Sequence, residues 1–484
     1  MKQPLATATV CTLLAAPGLA AQECWQEPFH SPLLPPDHWA VATAHRLEAA
    51  GAAPEHFLPA QQAVPLLEVG CLLLSADSVL FGRYAEEFPG AVGRLLGEQR
   101  EVLEWWGGSA SPGGGFRRGA AEPGRNLPLP GEQLGAQPLD DQGELVLAWG
   151  TTGALGPLLF RSKAWFGSEE LFPDQVEVAL AAGPVTVSAL HGPLGFGRGG
   201  VVFGGAGVTR LELRTARPFQ FPGWLAYLGL VSADFFVTRA FDDRHDGDPW
   251  LLGGSVSLRP HPRLTLALHR GLIFGGDAPR DPLTPRALLL TLIGVHHGDL
   301  DDGKVSGEIR YRLPSEGLIP LFLYLESGAE DSAGAFRDVP GLVMGALAPS
   351  LPFAPTASLG VERAYFARSC CFNPPWYRHA TFRGGWALNE LPLGHPLGGH
   401  GKEWALNGSA LLFEAALWLE LRLFARERGS ENLFSPEREG ESRGVDLKAR
   451  WRVGPRLDAG GWFFQDSGDG WRESRGSVSL GYLF

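Results

Sequence analysis

Three stretches near the C-terminus concentrate side chains that could recognise a sugar. Sugars are bound by flat aromatic faces and by planar hydrogen-bonding groups, and an acidic polymer additionally favours Arg, Lys and protonated His. The candidates are Asn389, Glu390, His395, His400 and Lys402 in the first stretch, Arg428, Asn432 and Arg438 in the second, and Trp471 in the third. Any one of them would also suit an ordinary solvated loop, so these residues are candidates for sugar binding and do not by themselves predict it.

Motifs that would carry catalysis, a cofactor or a metal fail on their spacing. The glycines of Gly195–Gly200 match a dinucleotide fingerprint, but the residues after them do not form the helix that this fingerprint requires. Residues 242–253 begin like an EF-hand loop, yet Arg244 and Gly253 stand where an oxygen ligand and the final Glu are needed. The His and Asp residues within 296–302 fit a polar loop tip better than a metal site. We therefore predict no catalytic residue, no cofactor and no metal, and we do not expect an enzyme.

The end of the chain indicates what kind of scaffold would carry these residues. Within 477–484 an apolar side chain occupies every second position, and the chain ends on Phe484. The preceding run, 445–453, has apolar residues on one face and charged residues on the other. A free apolar edge strand invites aggregation, whereas closure into a barrel pairs the last strand with the first. A strand with one apolar and one charged face is typical of a transmembrane barrel, with lipid outside and a polar lumen inside.

Alternating patterns of this kind continue upstream and set the size of the scaffold. The sequence predicts an all-β transmembrane barrel of about 16–18 antiparallel strands over residues 143–484. Counting back from Phe484 predicts outer loops at 387–402, 428–443 and 465–472, and short inner turns at Asn407-Gly408 and Gly454-Pro455. Long connections then lie on one side and short ones on the other, as in outer-membrane barrels.

The N-terminal region has the features of an exported protein. Residues 1–21 combine a short positive head, an apolar core and small residues before the cleavage position, which predicts a secretory signal peptide. Residues 22–106 show helical periodicity, and we interpret them as a small helical segment at the periplasmic side. Residues 107–142 are rich in Gly and Pro, and we interpret them as a linker that leads into the barrel.

Export also bears on the cysteines. Cys24, Cys71 and the adjacent pair Cys370-Cys371 remain after the signal peptide is removed. Because exported proteins meet an oxidising compartment, we predict a disulfide between Cys24 and Cys71. The adjacent pair could form a vicinal disulfide or stay reduced, and its spacing does not fit a zinc site.

The composition excludes one class of partner. The formal net charge is −12 and the pI is about 5.6, whereas a nucleic-acid-binding protein would need a basic face. The chain contains 15 Trp and 28 Phe residues, which would supply the aromatic girdles of a membrane barrel. Its mean hydropathy of −0.03 is compatible with such a barrel, because alternation hides the apolar half.

Several motifs follow one another in a recognisable order. They are His191–Gly200, Arg217–Phe219, Pro222–Leu225, Leu258–Pro262, His269–Gly276, Tyr377–His379, Phe382–Gly384 and Pro392–Gly399. This order resembles that of the bacterial outer-membrane capsule assembly proteins of the Wzi type, and the N-terminal helical segment is similar to theirs. One departure is His191 before Gly192-Pro193, where the family often has Trp. The resemblance implies an outer-membrane barrel with a small helical bundle at its periplasmic mouth, which attaches exported polysaccharide to the cell surface as a lectin.

The leading hypothesis is an integral outer-membrane barrel whose outer loops bind capsular polysaccharide or exopolysaccharide and help to assemble it at the cell surface. Its other expected partners are outer-membrane lipid and the barrel assembly machinery, which would recognise the C-terminal strand. The alternative is a diffusion channel, because a barrel of this size could enclose an aqueous pore. A glycan hydrolase is a third class, for which the sequence offers no catalytic motif.

Overall fold

The computed structural model describes most of the predicted barrel and part of the N-terminal segment. The described residues are 33–34, 36, 39–51, 53, 55–65, 68–69, 72, 110–120, 144–155, 158–166, 171–240, 247–277, 284, 301–314, 319–330, 341–354, 356–368, 375–388, 391–413, 417–453 and 457–482. The predicted signal peptide, the predicted Cys24–Cys71 disulfide, the Cys370-Cys371 pair, Asn389, Glu390 and Phe484 lie outside these residues.

The described part of the N-terminal segment contains one helix and two short strands. Strand β1 (Leu33–Leu34) pairs with β2 (Val64–Pro65), and helix α1 (Trp39–Ala50) lies between them in the chain. The helix is followed by Gly51, whose φ of 78° is the left-handed conformation common directly after a helix. A helix at this position agrees with the helical periodicity of the segment.

An antiparallel sheet that closes on itself forms the body of the molecule. Its strands are β3 (Ala110–Ala120), β4 (Glu144–Leu155), β5 (Leu158–Phe166), β6 (Leu171–Ala182), β7 (Val185–Gly195), β8 (Gly204–Thr215), β9 (Phe219–Gln220), β10 (Leu230–Arg239), β11 (Trp250–His261), β12 (Leu264–Phe274), β13 (Asp301–Arg312), β14 (Phe322–Glu330), β15 (Gly341–Ala348), β16 (Ala357–Phe366), β19 (Gly401–Leu412), β20 (Leu417–Arg428), β21 (Gly440–Arg452), β22 (Leu457–Gly468) and β23 (Trp471–Tyr482). Between β16 and β19, the two-residue strands β17 (Ala387–Leu388) and β18 (Leu391–Pro392) pair only with each other. The last strand, β23, pairs with β3, and this pairing confirms the predicted closed antiparallel barrel.

The predicted alternation of apolar and polar faces is present in the strands. In β8, the side chains of Leu211 and Leu213 are 59% and 44% exposed on the outer surface. Their neighbours Arg210, Glu212 and Arg214 point inward and are buried. The barrel therefore has an apolar outer wall and a charged inner wall, which is the reverse of a soluble protein.

The first barrel strand begins earlier in the chain than the sequence indicated. The sequence predicts a linker at 107–142 and a barrel that starts at 143. This prediction is wrong, because strand β3 lies within the predicted linker and the barrel begins at Ala110. Residues 113–115 are three consecutive glycines, and the absence of their side chains leaves no alternation to recognise. Only the ladders to β23 and β4 define this strand.

Two of the predicted connections are also corrected. Asn407-Gly408 lies in the middle of β19, where Gly408 is opposite Leu421 of β20, so it is not the predicted inner turn. Most of the predicted outer loop 465–472 is strand, and only residues 469–470 separate β22 from β23. By contrast, β21 ends at 452 and β22 begins at 457, so the predicted inner turn Gly454-Pro455 falls between two paired strands, although these two residues themselves lie outside the described ones.

The N-terminal segment lies against the inner wall of the barrel. The backbone N–H of Leu33 donates a hydrogen bond to Glu177 of β6 (2.7 Å), and the carbonyl of Leu33 accepts one from Arg161 of β5 (2.6 Å). Arg46 of α1 donates to the carbonyls of Pro349 and Thr356 in the connection between β15 and β16. These contacts place the segment at the end of the barrel that carries this connection.

Candidate glycan-binding loop end

Antiparallel pairing fixes which connections share one end of the barrel. Successive strands run in opposite directions, so the connections at 196–203, 367–400, 429–439 and 469–470 all lie opposite to the end that holds α1. We call this the loop end. It includes the three stretches that hold the candidate sugar-binding residues.

Two connections of the loop end fold inward and pack together inside the barrel. We call residues 196–203, 375–388 and 391–397 the plug. The hydroxyl of Tyr377 donates to the carbonyl of Val201, and the indole N–H of Trp386 donates to the carbonyl of Val202, both at 2.6 Å. The core of the plug is apolar and buried, and it includes Phe196, Phe203, Trp376, Tyr377, Phe382 and Trp386. Protein therefore occupies the lumen at this level.

Two glycines that border the plug are explained by close packing. A Cβ atom on Gly204 would lie 2.3 Å from the carbonyl oxygen of Gly394. Gly399 has a φ of 92°, and its Cβ would lie 2.3 Å from the carbonyl oxygen of Trp376. Gly204 and Gly399 thus allow close approach of backbone segments next to the plug.

The N-terminal segment meets the plug from the opposite side. The backbone N–H of Gln62 donates to the carbonyl of Gly195 (2.8 Å), and its side-chain amide donates to the carbonyl of Gly197 (2.7 Å). Glu48 of α1 lies 3.5 Å from the guanidinium of Arg198 and 2.8 Å from that of Arg259. Nearby cations hold the pKa of the Glu48 carboxyl well below its usual range although burial opposes this shift. Hydrogen bonds and ion pairs therefore connect the N-terminal segment to the plug inside the barrel.

Asn432 joins two connections of the loop end. Its side-chain amide donates to the carbonyls of Leu397 (2.9 Å) and His400 (3.0 Å), and its amide oxygen accepts from the N–H of Phe434 (3.0 Å). The side chain is completely buried. Asn432 thus holds connection 429–439 against connection 367–400.

His395 lies behind the surface, within the plug. Its Nδ1 accepts a hydrogen bond from the N–H of Leu397 (3.1 Å), and burial lowers the pKa of its imidazole to about 4. Glu362 and Glu403 bring carboxylates close enough to form a three-ligand cluster with it. However, Arg422 pairs with both carboxylates, at 3.0 Å and 2.5 Å, so ion pairing already accounts for the cluster. Neutral His395 is positioned by the plug and does not reach the outside.

Arg428, Arg438 and Trp471 come together around the ring of Phe434. The guanidinium of Arg428 lies 4.9 Å from the Phe434 ring centroid, and that of Arg438 lies 5.6 Å from it. Arg438 is also 5.7 Å from the ring of Trp471 and forms an ion pair with Glu473 (2.7 Å). Burial is the main cause that lowers the pKa of Arg438. Two guanidinium groups and two aromatic side chains thus come together at the loop end. We call this cluster of Arg428, Phe434, Arg438 and Trp471 the rim.

The remaining predicted residues are more dispersed. His400 is partly buried, and its ring lies 3.9 Å from the carboxylate of Glu431. Lys402 points away from the lumen, is half-exposed, and pairs with Glu427 at 2.5 Å. The structure therefore brings Arg428, Asn432, Arg438 and Trp471 together, with His400 at their side, and it separates Lys402 from them.

Three contributors to this rim were missed in the sequence. Arg426, Phe434 and Arg475 line it from β20, connection 429–439 and β23. A signal was present in β20, where Arg422, Arg426 and Arg428 all occupy inward positions of the alternating pattern. Following the inward face to the end of each strand would have found Arg426 and Arg475.

No helix among the described residues is long and apolar enough to cross a membrane.

Comparison with known proteins gives one family and several similar structures. The family model described as capsule assembly protein Wzi matches residues 206–462. The structure of Escherichia coli Wzi, an outer-membrane carbohydrate-binding β-barrel involved in group 1 capsule assembly, is 14% identical, with a TM-score of 0.70 over 94% of this chain and 100% of that one. Pseudomonas aeruginosa OpdQ and OprD are 11% and 10% identical, with TM-scores of 0.45 and 0.44 over 78% of this chain and 98% and 93% of theirs. No protein with a curated description matches.

Proposed function

This chain belongs to the capsule assembly protein Wzi family, and on that premise we propose that it binds surface polysaccharide at its loop end. It acts as an integral outer-membrane barrel that helps to attach or assemble capsule at the cell surface. The observation that carries this function is the architecture of the loop end, where a packed plug lies within the lumen beneath a rim of arginine and aromatic side chains. Such an arrangement favours binding over passage.

The outer wall supports lipid as the second partner. Leu421, Leu423 and Val478 are exposed on the outside of the barrel, where contact with water would be costly. Their burial in hydrocarbon removes this cost, and the charged inner wall is then shielded from lipid. We assign recognition by the barrel assembly machinery to β23, the last strand, whose Val478 and Leu480 continue the outer apolar face.

Arginine and aromatic side chains bind sugars without transforming them. Guanidinium groups form paired hydrogen bonds to acidic or hydroxyl oxygens, and aromatic faces pack on the apolar face of a sugar ring. A glycosidase would need two carboxylates placed on either side of the scissile bond. At this rim Asp466 and Glu473 are both paired with arginines, so we propose binding without turnover.

The function is tested by deleting the gene in its host and measuring polysaccharide in the cell-bound and released fractions. Loss of attachment should leave the total unchanged and move polysaccharide into the medium, and the native gene should restore the cell-bound fraction. If both fractions are unchanged by the deletion, the attachment role is wrong.

A further inference from the structure

The rim contains buried hydrogen-bond donors for which the described protein atoms offer no acceptor. They are both terminal nitrogens of Arg428, one terminal nitrogen of Arg438 and the indole nitrogen of Trp471. The side chain of Arg428 is completely buried, and its nearest carboxylate oxygen, on Asp466, is 3.6 Å away. That separation is beyond hydrogen-bond range, and the guanidinium is held only by a long hydrogen bond from its Nε to the carbonyl of Leu397 (3.4 Å). A buried charge with so few partners is strongly unfavourable.

Arg428 shares the carboxylate of Asp466 with Arg426. Arg426 pairs with Glu403 at 2.7 Å and also lies 3.4 Å from Asp466. Glu473 is shared between Arg438 (2.7 Å) and Arg475 (2.6 Å). Four guanidinium groups therefore meet three carboxylates, and one of these, Glu403, also serves Arg422. The local charge is positive in a place where charge is costly, so an anion would be stabilised there.

The surroundings of these donors fit a particular kind of anion. The ring of Phe434 is within contact distance of the guanidinium groups of both Arg428 and Arg438, and Trp471 flanks Arg438. A carboxylate matches the planar, two-pronged geometry of guanidinium, and an aromatic face suits the apolar face of a sugar ring. An inorganic anion would use the arginines alone and would gain nothing from Trp471.

We propose that Arg428, Arg438 and Trp471 form an anion site that takes a carboxylate carried by a sugar unit of the polysaccharide. The proposal rests on the proposed function and specifies the chemical class of the ligand as a uronate-containing polymer. The ligand approaches from the side of Arg438, whose side chain retains 12% of its surface exposed. The carboxylate binds to Arg438 and to the buried Arg428, and Trp471 contacts the sugar ring.

The test uses the purified full-length barrel in detergent and the host's own surface polysaccharide, either native or with its carboxyl groups chemically reduced to alcohols. Carboxyl reduction removes the charge and leaves the sugars and their linkages in place. We expect the native barrel to bind the reduced polymer at least tenfold more weakly. Free glucuronate at millimolar concentration should compete with the native polymer, and glucose should not.

Variants assign this preference to the site. Arg438→Gln should lose most of the affinity difference between the two polymers, whereas Arg438→Lys should retain part of it because the charge remains. Arg443→Gln is the matched control, because it removes the same charge from an exposed position on the outer face of β21. Heat-modifiable electrophoretic migration confirms that each variant is folded.

The outcomes separate the two proposals. If both polymers bind equally well, polysaccharide binding stands and the anion site is wrong. If neither polymer binds, the proposed function itself fails, and the anion site fails with it. If Arg443→Gln lowers the preference as much as Arg438→Gln does, general charge and not this site determines it.

Discussion

Asn432 shows how one buried side chain can hold the loop end together. Replacing it with Ala removes three hydrogen bonds and leaves the carbonyls of Leu397 and His400 without these donors. Each hydrogen bond of this kind contributes about 0.5–1.5 kcal/mol to stability, so Asn432→Ala should lower the unfolding temperature and expose connection 429–439 to protease. Asn407→Ala is the control, since Asn407 accepts a single long contact of 3.5 Å from Arg422. Equal protease resistance in the two variants would contradict this role.

Glu68 should make the stability of the N-terminal segment depend on pH. Burial, reinforced by the charge of Glu48, raises the pKa of the Glu68 carboxyl to about 8. The folded chain then keeps a proton that the unfolded chain releases above its ordinary pKa of 4.5, so stability is highest below 4.5 and falls as the pH rises to 8. Glu68→Gln should remove this loss.

Protease resistance of the N-terminal segment, followed between pH 5 and pH 9, measures the effect. The native segment should become easier to cleave as the pH rises, and the Glu68→Gln segment should change little. Glu55→Gln is the control, because Glu55 is exposed. Parallel pH profiles for native and Glu68→Gln protein would show that Glu68 is not the group responsible.

Among the elements, the plug determines whether the lumen conducts. Its two connections are bonded to each other through Tyr377 and Trp386 and to the N-terminal segment through Gln62. Native protein in a planar bilayer should therefore show little conductance. Replacing residues 377–396 with a short Gly-Ser linker should raise the conductance, because it removes Tyr377, Phe382 and Trp386 from the apolar packing of the plug. Trp224→Ser is the control, since Trp224 is 78% exposed and lies outside the plug.

A large, stable conductance of the native protein would favour the diffusion channel. In that case the plug would have to move aside without breaking the fold, and the replacement would change little. The rim would then be the mouth of a pore, and polysaccharide attachment would lose its structural basis.

For the molecule as a whole, a charged side chain should be costly on the lipid-facing side of a strand and tolerated on the lumen-facing side. Leu421 lies on the outer wall of β20, and an Arg on the lipid side of a barrel costs about 2–4 kcal/mol near the middle of the membrane. Leu421→Arg should therefore reduce the amount of folded protein in the outer membrane. Ser409→Arg places the same charge on the inner wall, near Glu420, and should be tolerated. Comparable folded amounts of both variants would argue against lipid as the environment of the outer wall.

The sequence by itself determined the class of the molecule, because a period of two is a local property that can be read from consecutive residues. Runs such as 445–453 specify an apolar and a charged face wherever the strand is placed, and the ordered motifs specified the family. The same local reading failed at the glycines of β3 and at Asn407-Gly408, since pairing across the sheet, and not local preference, defines those strands.

Only the tertiary structure decided which polar residues form the rim. His395 and Lys402 belong to the same stretch of sequence, yet one is buried in the plug and the other faces outward. Arg428 and Trp471 are far apart in sequence and meet because β20 and β23 end at the same side of the barrel. Burial and unpaired donors arise from contacts between such distant residues, so no stretch of sequence contains them.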